Sequence, residues 1–157
     1  MLKLHDSDKV PSWYAHSIFI LTGYRPVTNS VRQCIRSLSY KHNETVNIYS
    51  HLIPAIAAAL VSWCFGQYFS MRYPLASWAD QLVFHIYMMT SVICFGTSAG
   101  YHTLLCHSEG YANLWARLDY LASVVKVVGS FGSGIYFGFY CEPDLQKVYW
   151  TMVRMRW

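Results

Sequence analysis

Ser98 and His102 stand four residues apart at the end of one apolar run, and Asp119 opens the next. Between them the chain turns through Cys106-His107-Ser108-Glu109-Gly110. An imidazole and a carboxylate at facing ends of consecutive hydrophobic segments are metal-competent, and Zn²⁺ accepts both donor types, directly or through a bound water. Two ligands do not make a zinc site, and nearby Cys106 and His107 could offer others. The bland alternatives are a His–Asp hydrogen bond, or two interfacial residues wetted by headgroups. Four residues along a helix return a side chain to the same face, so Ser98 could orient the His102 imidazole or bind a substrate oxygen. Equally, it is a small residue that permits close helix packing.

The elements that must position these residues are membrane spans. Of 157 residues, 54% are hydrophobic and 13% charged, against about 25% charged in a soluble domain. Aromatics make up 17%, with six Trp and thirteen Tyr, an excess that suits membrane–water interfaces. The net charge of +4 is spread out, and without a basic stripe nucleic-acid binding is not expected. Five cysteines, Cys34, Cys64, Cys94, Cys106 and Cys141, form no C-x-x-C pair. An odd number with two inside apolar runs reads as reduced thiols rather than a disulfide framework. No basic segment leads into a short apolar stretch at the N-terminus, so a cleavable signal is not expected and the first span itself would act as the targeting signal.

The composition and pattern predict an all-α polytopic transmembrane bundle, with three full spans and the start of a fourth. The spans fall at about 48–69, 82–105 and 114–140, each near the 20 or so apolar residues a bilayer core requires. The twenty residues from Leu82 to His102 rise about 30 Å as a helix, which carries His102 to the far boundary of the second span. Asp119 enters the third span on that same side. Pro54 sits near the start of the first span, where missing N–H partners make proline tolerable. Residues 1–47 read as a cytosolic N-terminal segment containing an amphipathic helix over 30–40, with Val31, Cys34, Ile35 and Leu38 at helical spacing. Residues 48–157 read as a partial transmembrane domain, and residues 70–81 as a loop. The apolar stretch 148–153 is cut short by Arg154-Met155-Arg156-Trp157.

Lys and Arg counts favour a cytosolic N-terminus: Lys3, Lys9, Arg25, Arg32, Arg36 and Lys41 precede the first span. That orientation leaves the Asn43-Glu44-Thr45 sequon in the cytosol and unmodified. Ionisable groups within spans usually mark a site or face a partner. Lys126, seven residues after Asp119, could pair with that carboxylate or snorkel. His51 and His85 are read as hydrogen-bonded or interfacial residues near the outer and inner ends of other spans.

The chain resembles the progestin and adipoQ receptor family, which includes adiponectin receptors and haemolysin-III-like proteins. The resemblance covers roughly residues 11–150. It is carried by Gly23-Tyr24-Arg25-Pro26, by His42-Asn43-Glu44-Thr45-Val46-Asn47-Ile48-Tyr49-Ser50-His51-Leu52, and by Ser98-Ala99-Gly100-Tyr101-His102. It continues through Cys106-His107-Ser108, Leu118-Asp119-Tyr120, Gly129-Ser130-Phe131 and Tyr136-Phe137-Gly138-Phe139-Tyr140-Cys141. The resemblance implies a seven-helix membrane protein with its N-terminus in the cytosol and a zinc ion near the cytosolic face. It implies His102 as a zinc ligand and Asp119 as a contact to the metal through water, with two more histidines from a His-x-x-x-His motif on the last helix. That motif is absent from these residues, so the expectation is of a chain shortened at its C-terminal side and holding an incomplete zinc site. Ala122, Lys126 and Gly132-Ser133-Gly134 are further departures from the family pattern.

For a complete member the resemblance implies a zinc-dependent, ceramidase-like lipid amide hydrolase. In that reading Asp119 is general base and Ser98 supports the tetrahedral oxyanion. Membrane lipids, ceramide or a sterol are the implied partners, together with lipid or sterol signalling and homeostasis. The alternative is a non-enzymatic receptor with structural zinc and an extracellular protein ligand; a third reading is an inactive fragment.

Overall fold

The structure, a computed structural model, describes residues 3–15, 17–74 and 76–154. Of the C-terminal stretch that follows the short apolar run, Met155, Arg156 and Trp157 lie outside the described residues, as do the side chains of Ser70 and Arg154. Among the described residues five α-helices follow in order: α1 (Val31–Arg36), α2 (Thr45–Arg72), α3 (Trp78–Leu104), α4 (Glu109–Gly138) and α5 (Pro143–Arg154). Short 3₁₀ turns lie at Ser7–Lys9 and Ser37–Ser39.

The helices α2, α3 and α4 are long and apolar enough to cross a membrane. Their 28, 27 and 30 residues give axial lengths of roughly 40 Å or more, which exceeds a bilayer core of about 30 Å. Only 11% to 22% of each most apolar window is buried within the chain. So much outward-facing Leu, Ile, Val and Phe is what a lipid solvent calls for. The middle helix is α3, packed along α2 on one side and α4 on the other. The spans therefore stand in a row, with the ends of α2 and α4 that begin each helix beside the end that finishes α3.

The helices reach further than the apolar runs. Residues 70–72 belong to α2 and residues 78–81 to α3, so the connection expected over 70–81 shrinks to 73–77. A capping box explains the early start of α3. The Ser77 hydroxyl accepts from the Asp80 N–H, and the Asp80 carboxylate accepts from the Ser77 N–H at 2.8 Å, which satisfies donors the first turn would leave unpaired. Tyr136 of α4 then donates to the same carboxylate at 2.7 Å, fastening α4 to the start of α3. Because α2 begins at Thr45, Pro54 lies beyond its first turn, and the Ser50 carbonyl loses its intrahelical donor.

Two glycines set the α3–α4 approach. A Cβ at Gly129 would meet Thr90 Oγ1 at 2.5 Å, and one at Gly100 would meet the Trp115 ring at the same distance. Small residues at such crossings let helix backbones come close.

Residues 3–44 pack over the end of the row that carries the start of α2, the end of α3 and the start of α4, here termed the proximal end. His5 and Tyr24 exchange backbone hydrogen bonds at 2.8 and 3.0 Å. Gly23, at φ 87°, takes a left-handed conformation that glycine adopts without a Cβ penalty, and its carbonyl accepts from Asn43 N–H at 2.9 Å. A buried cluster of Tyr14, Tyr24, Cys34, Leu104, Leu105, Cys106 and Ala112 joins this segment to the α3–α4 turn. The amphipathic helix expected over 30–40 is shorter, one α-helical stretch followed by a 3₁₀ turn. Cys34 and Ser37 are buried while Val31 and Ile35 stay exposed, so its apolar stripe is not one packed face.

Candidate functional site

The proximal ends of three helices bring His51, Ser98 and Asp119 into one hydrogen-bonded line. The Ser98 hydroxyl donates to Asp119 Oδ2 at 3.3 Å. Its oxygen lies 2.6 Å from His51 Nδ1. With the serine proton committed to the carboxylate, the protonated nitrogen of His51 is assigned as Nδ1, leaving an Nε2 lone pair. The expectation that Ser98 orients His102 is thereby corrected: Ser98 bonds His51 and Asp119. His51, expected near the outer end of another span, lies near the start of α2 at this proximal end, with its ring 5.6 Å from that of His102.

His102 is oriented instead by Glu44, whose Oε2 lies 2.8 Å from Nδ1. Asn43 and Asn47 each donate to the same carboxylate at 2.9 Å. Glu44 stands immediately before α2, where the helix's unpaired N–H groups favour an anion. Burial works to raise the Glu44 carboxyl. The hydrogen bonds from His102 and Asn47, with the charge of Arg25, outweigh it and hold the group below the usual carboxylate range. An ionised Glu44 fixes the His102 tautomer with Nδ1–H facing the carboxylate and Nε2 free, the arrangement seen behind metal-ligating histidines.

Arg25 completes the frame. It is 1% exposed, and its guanidinium donates to the His102 carbonyl at 2.7 Å and the Thr103 carbonyl at 2.9 Å. These carbonyls end α3 and have no intrahelical donor, and a cation there also complements the helix dipole. A third bond reaches Ser37 Oγ at 2.8 Å. One side chain thus ties the N-terminal segment to the turn that carries His102. A cavity of about 220 Å³ opens beside this frame, lined by Tyr14, Tyr24, Asn43, Glu44, Tyr101 and His102 among others.

The other suggested donors point elsewhere. Cys106 faces Cys34. His107 stacks on Tyr111 with ring centroids 3.8 Å apart, and its Nδ1 lies 3.0 Å from Ser108 Oγ. Lys126 does not reach Asp119; it donates to Ser91 Oγ at 2.7 Å and lies 3.5 Å over the Tyr87 ring. Among the described residues no group of three or more His, Cys, Asp or Glu could hold a metal ion. A tetrahedral zinc site needs four donors, and His102 and Asp119 are two metal-competent side chains.

Sequence reasoning missed Glu44 and His51. The signal was present: Glu44, Asn47 and His51 fall at i, i+3 and i+7, the spacing of one helical face, at the edge of a stretch whose hydrophobicity dominates its pattern.

Comparison with known proteins agrees with this architecture. Residues 39–156 match the haemolysin-III-related family. The chain is similar to the ADIPOR-like receptor IZH1 of Eremothecium gossypii, at 32% identity over 143 residues, which covers 90% of this chain and 45% of that protein. It is similar to the adiponectin receptor protein of Drosophila melanogaster, at 33% identity over 144 residues, covering 92% and 32%. It is also similar to progestin and adipoQ receptor family member 3 of Homo sapiens, at 32% identity over 152 residues, covering 94% and 47%. The chain thus spans less than half the length of each of these relatives.

Proposed function

The chain belongs to the haemolysin-III-related family of multi-pass membrane proteins, and on that premise we propose that its proximal end is the cytosolic face of a zinc-dependent lipid amide hydrolase acting in lipid or sterol homeostasis. The observation that carries this reading is the Glu44–His102 pair at 2.8 Å, a carboxylate-backed imidazole at a membrane boundary. His102 is the proposed ligand, and Asp119 the proposed contact to the metal through a bound water. When bound, zinc would supply Lewis acidity toward a carbonyl and lower the pKa of a bound water.

The chain's own residues have defined parts. Glu44 and Arg25 hold His102 from its ring and from its backbone. Asp119 takes the proton of an attacking water as general base, and the Ser98–His51 line fixes the carboxylate's direction. Once Asp119 has taken the water's proton, the single O–H of Ser98 can turn from the carboxylate to an oxyanion forming beside it. A ceramide presents its amide near the headgroup level, so its acyl chains can stay in the lipid between spans. The cavity beside Glu44 and His102 gives the amide end access from the aqueous side.

The test is turnover of a ceramide by the protein that contains this segment, reconstituted in bilayers. Asp119→Asn is expected to lower kcat by about 10²–10⁴-fold. His102→Ala should lower zinc content and activity together. Unchanged turnover in both variants would overturn the hydrolase reading.

A second reading has its own observation. Residues 3–44 close over the site through Arg25 and Glu44, as a receptor would require if a change in the spans is to reach an aqueous surface. In that case zinc is structural, an extracellular protein is the ligand, and chelation lowers the thermal midpoint while no lipid is cleaved.

A further inference from the structure

Two buried sulfurs meet where the N-terminal segment rests on the α3–α4 turn. The Cys106 thiol donates to Cys34 Sγ at 3.4 Å, across 72 residues of chain. The side chains of Cys34 and Cys106 are 0% and 1% exposed. The pairing is held by backbone as well as by packing. Thr28 N–H donates to the Cys106 carbonyl at 3.0 Å, and Asn29 N–H donates to the His107 carbonyl at 2.9 Å. Asn29 sits at φ 49°, a left-handed conformation that asparagine tolerates better than most residues. A disulfide needs a sulfur separation of about 2 Å, and the two sulfurs already stand 3.4 Å apart.

We infer that Cys34 and Cys106 form a reversible dithiol–disulfide site that latches the N-terminal segment onto the proximal end of the bundle. Electrostatics assign the roles. The hydrogen bond from Cys106, helped by the Thr28 hydroxyl and the charges of Arg25 and His107, draws the Cys34 thiol below its ordinary range against the effect of burial. Cys106, as the donor in a buried site, is pushed up. Cys34 is the thiolate that attacks, and Cys106 is the resolving thiol.

Hydrogen peroxide, an oxidant little larger than water, reaches the buried Cys34 during local opening of the N-terminal segment, and the Cys34 thiolate attacks one peroxide oxygen. The O–O bond breaks, hydroxide leaves, and Cys34 becomes a sulfenic acid. The Cys106 sulfur then attacks Cys34 Sγ. Its proton and the sulfenic hydroxyl leave as water, and two thiols have lost two electrons to one peroxide. Reduction takes two molecules of a small thiol such as glutathione. The first opens the disulfide as a mixed disulfide, and the second releases oxidised glutathione. In the cytosolic orientation proposed above, the resting form is the dithiol.

The experiment uses the full chain in lipid nanodiscs with Cys64, Cys94 and Cys141 changed to Ser, since those thiols are exposed or half-buried. Peroxide treatment, denaturation with alkylation, and peptide mass analysis read the product. The expected result is loss of both thiols, a linked Cys34–Cys106 peptide, recovery with dithiothreitol, and a higher thermal midpoint for the oxidised chain. Cys34→Ala in the same background should slow oxidation of Cys106 by at least tenfold. Alkylation of both thiols after peroxide, stable sulfinic acid at one of them, or linkage only between chains would overturn the proposal.

Discussion

At the scale of single residues, the proximal end is governed by which proton each polar group holds. His42 shows this outside the candidate site. Its Nδ1 accepts from Glu44 N–H at 3.1 Å, so the ring must keep that nitrogen unprotonated. Burial and then the charge of Arg25 lower the imidazole to about 4 from 6.5. The unfolded chain therefore binds a proton that the folded chain refuses. Stability from this group is complete above pH 6.5 and is lost as pH falls from 6.5 toward about 4. Thermal midpoints measured across that window should decline, and His42→Asn, which keeps an acceptor and removes the titration, should flatten the decline. An equal slope in the variant would show that other groups carry the pH dependence. Residue types made His102 and Asp119 legible as candidates from the sequence, because an ionisable group at a span boundary stands out from its neighbours, and Ser98 followed from its four-residue spacing to His102. Their partners were less legible. Glu44 lies in a polar stretch where one more carboxylate draws no notice, and the contact of Arg25 with His102 crosses 77 residues that no local pattern connects.

Among the elements, the long spans follow from composition alone, since an apolar run of that length has few other stable homes. Their exact starts follow from caps, as with Ser77 and Asp80, and these extended α3 into the loop that hydropathy suggested. The separation of α3 from α4 is set by Gly129 against Thr90. A methyl there would meet Thr90 Oγ1, Cγ2 and Cβ at 2.5, 2.7 and 3.0 Å, and a β-carbon cannot swing aside without moving the backbone. Gly129→Ala should cost about 1–3 kcal/mol, read as a lower midpoint in detergent. A methyl placed on Gly134 would have nothing within 4 Å, so Gly134→Ala on the same helix should show no loss. A matching loss at both positions would rule out the α3–α4 contact as its source, since alanine favours a helix over glycine.

On the scale of the whole molecule, the spans leave most of their apolar area to lipid, and the densest burial lies at the proximal end under residues 3–44. The order of helices was legible in the sequence, whereas the covering of that end was not, because it rests on contacts between segments far apart in the chain. The contact between Lys126 and α3 has a consequence for how the chain is made. A lysine near the middle of a span costs about 2.5–3.5 kcal/mol when a helix enters the bilayer alone, and α4 already has the lowest hydropathy of the three spans, 1.3 against 1.6 and 1.5. Ser91 and Tyr87 on α3 receive that ammonium, so the preceding helix is the partner that makes α4 acceptable to the translocon. In a glycosylation-tag assay of co-translational insertion, α4 alone should insert poorly and the α3–α4 hairpin well, and Lys126→Leu should remove most of the difference. Equal insertion of α4 with and without α3 would sink this idea. Biogenesis of the protein would then proceed by helical pairs, with the ammonium handed from the insertion machinery to a hydroxyl and an aromatic ring already waiting in the membrane.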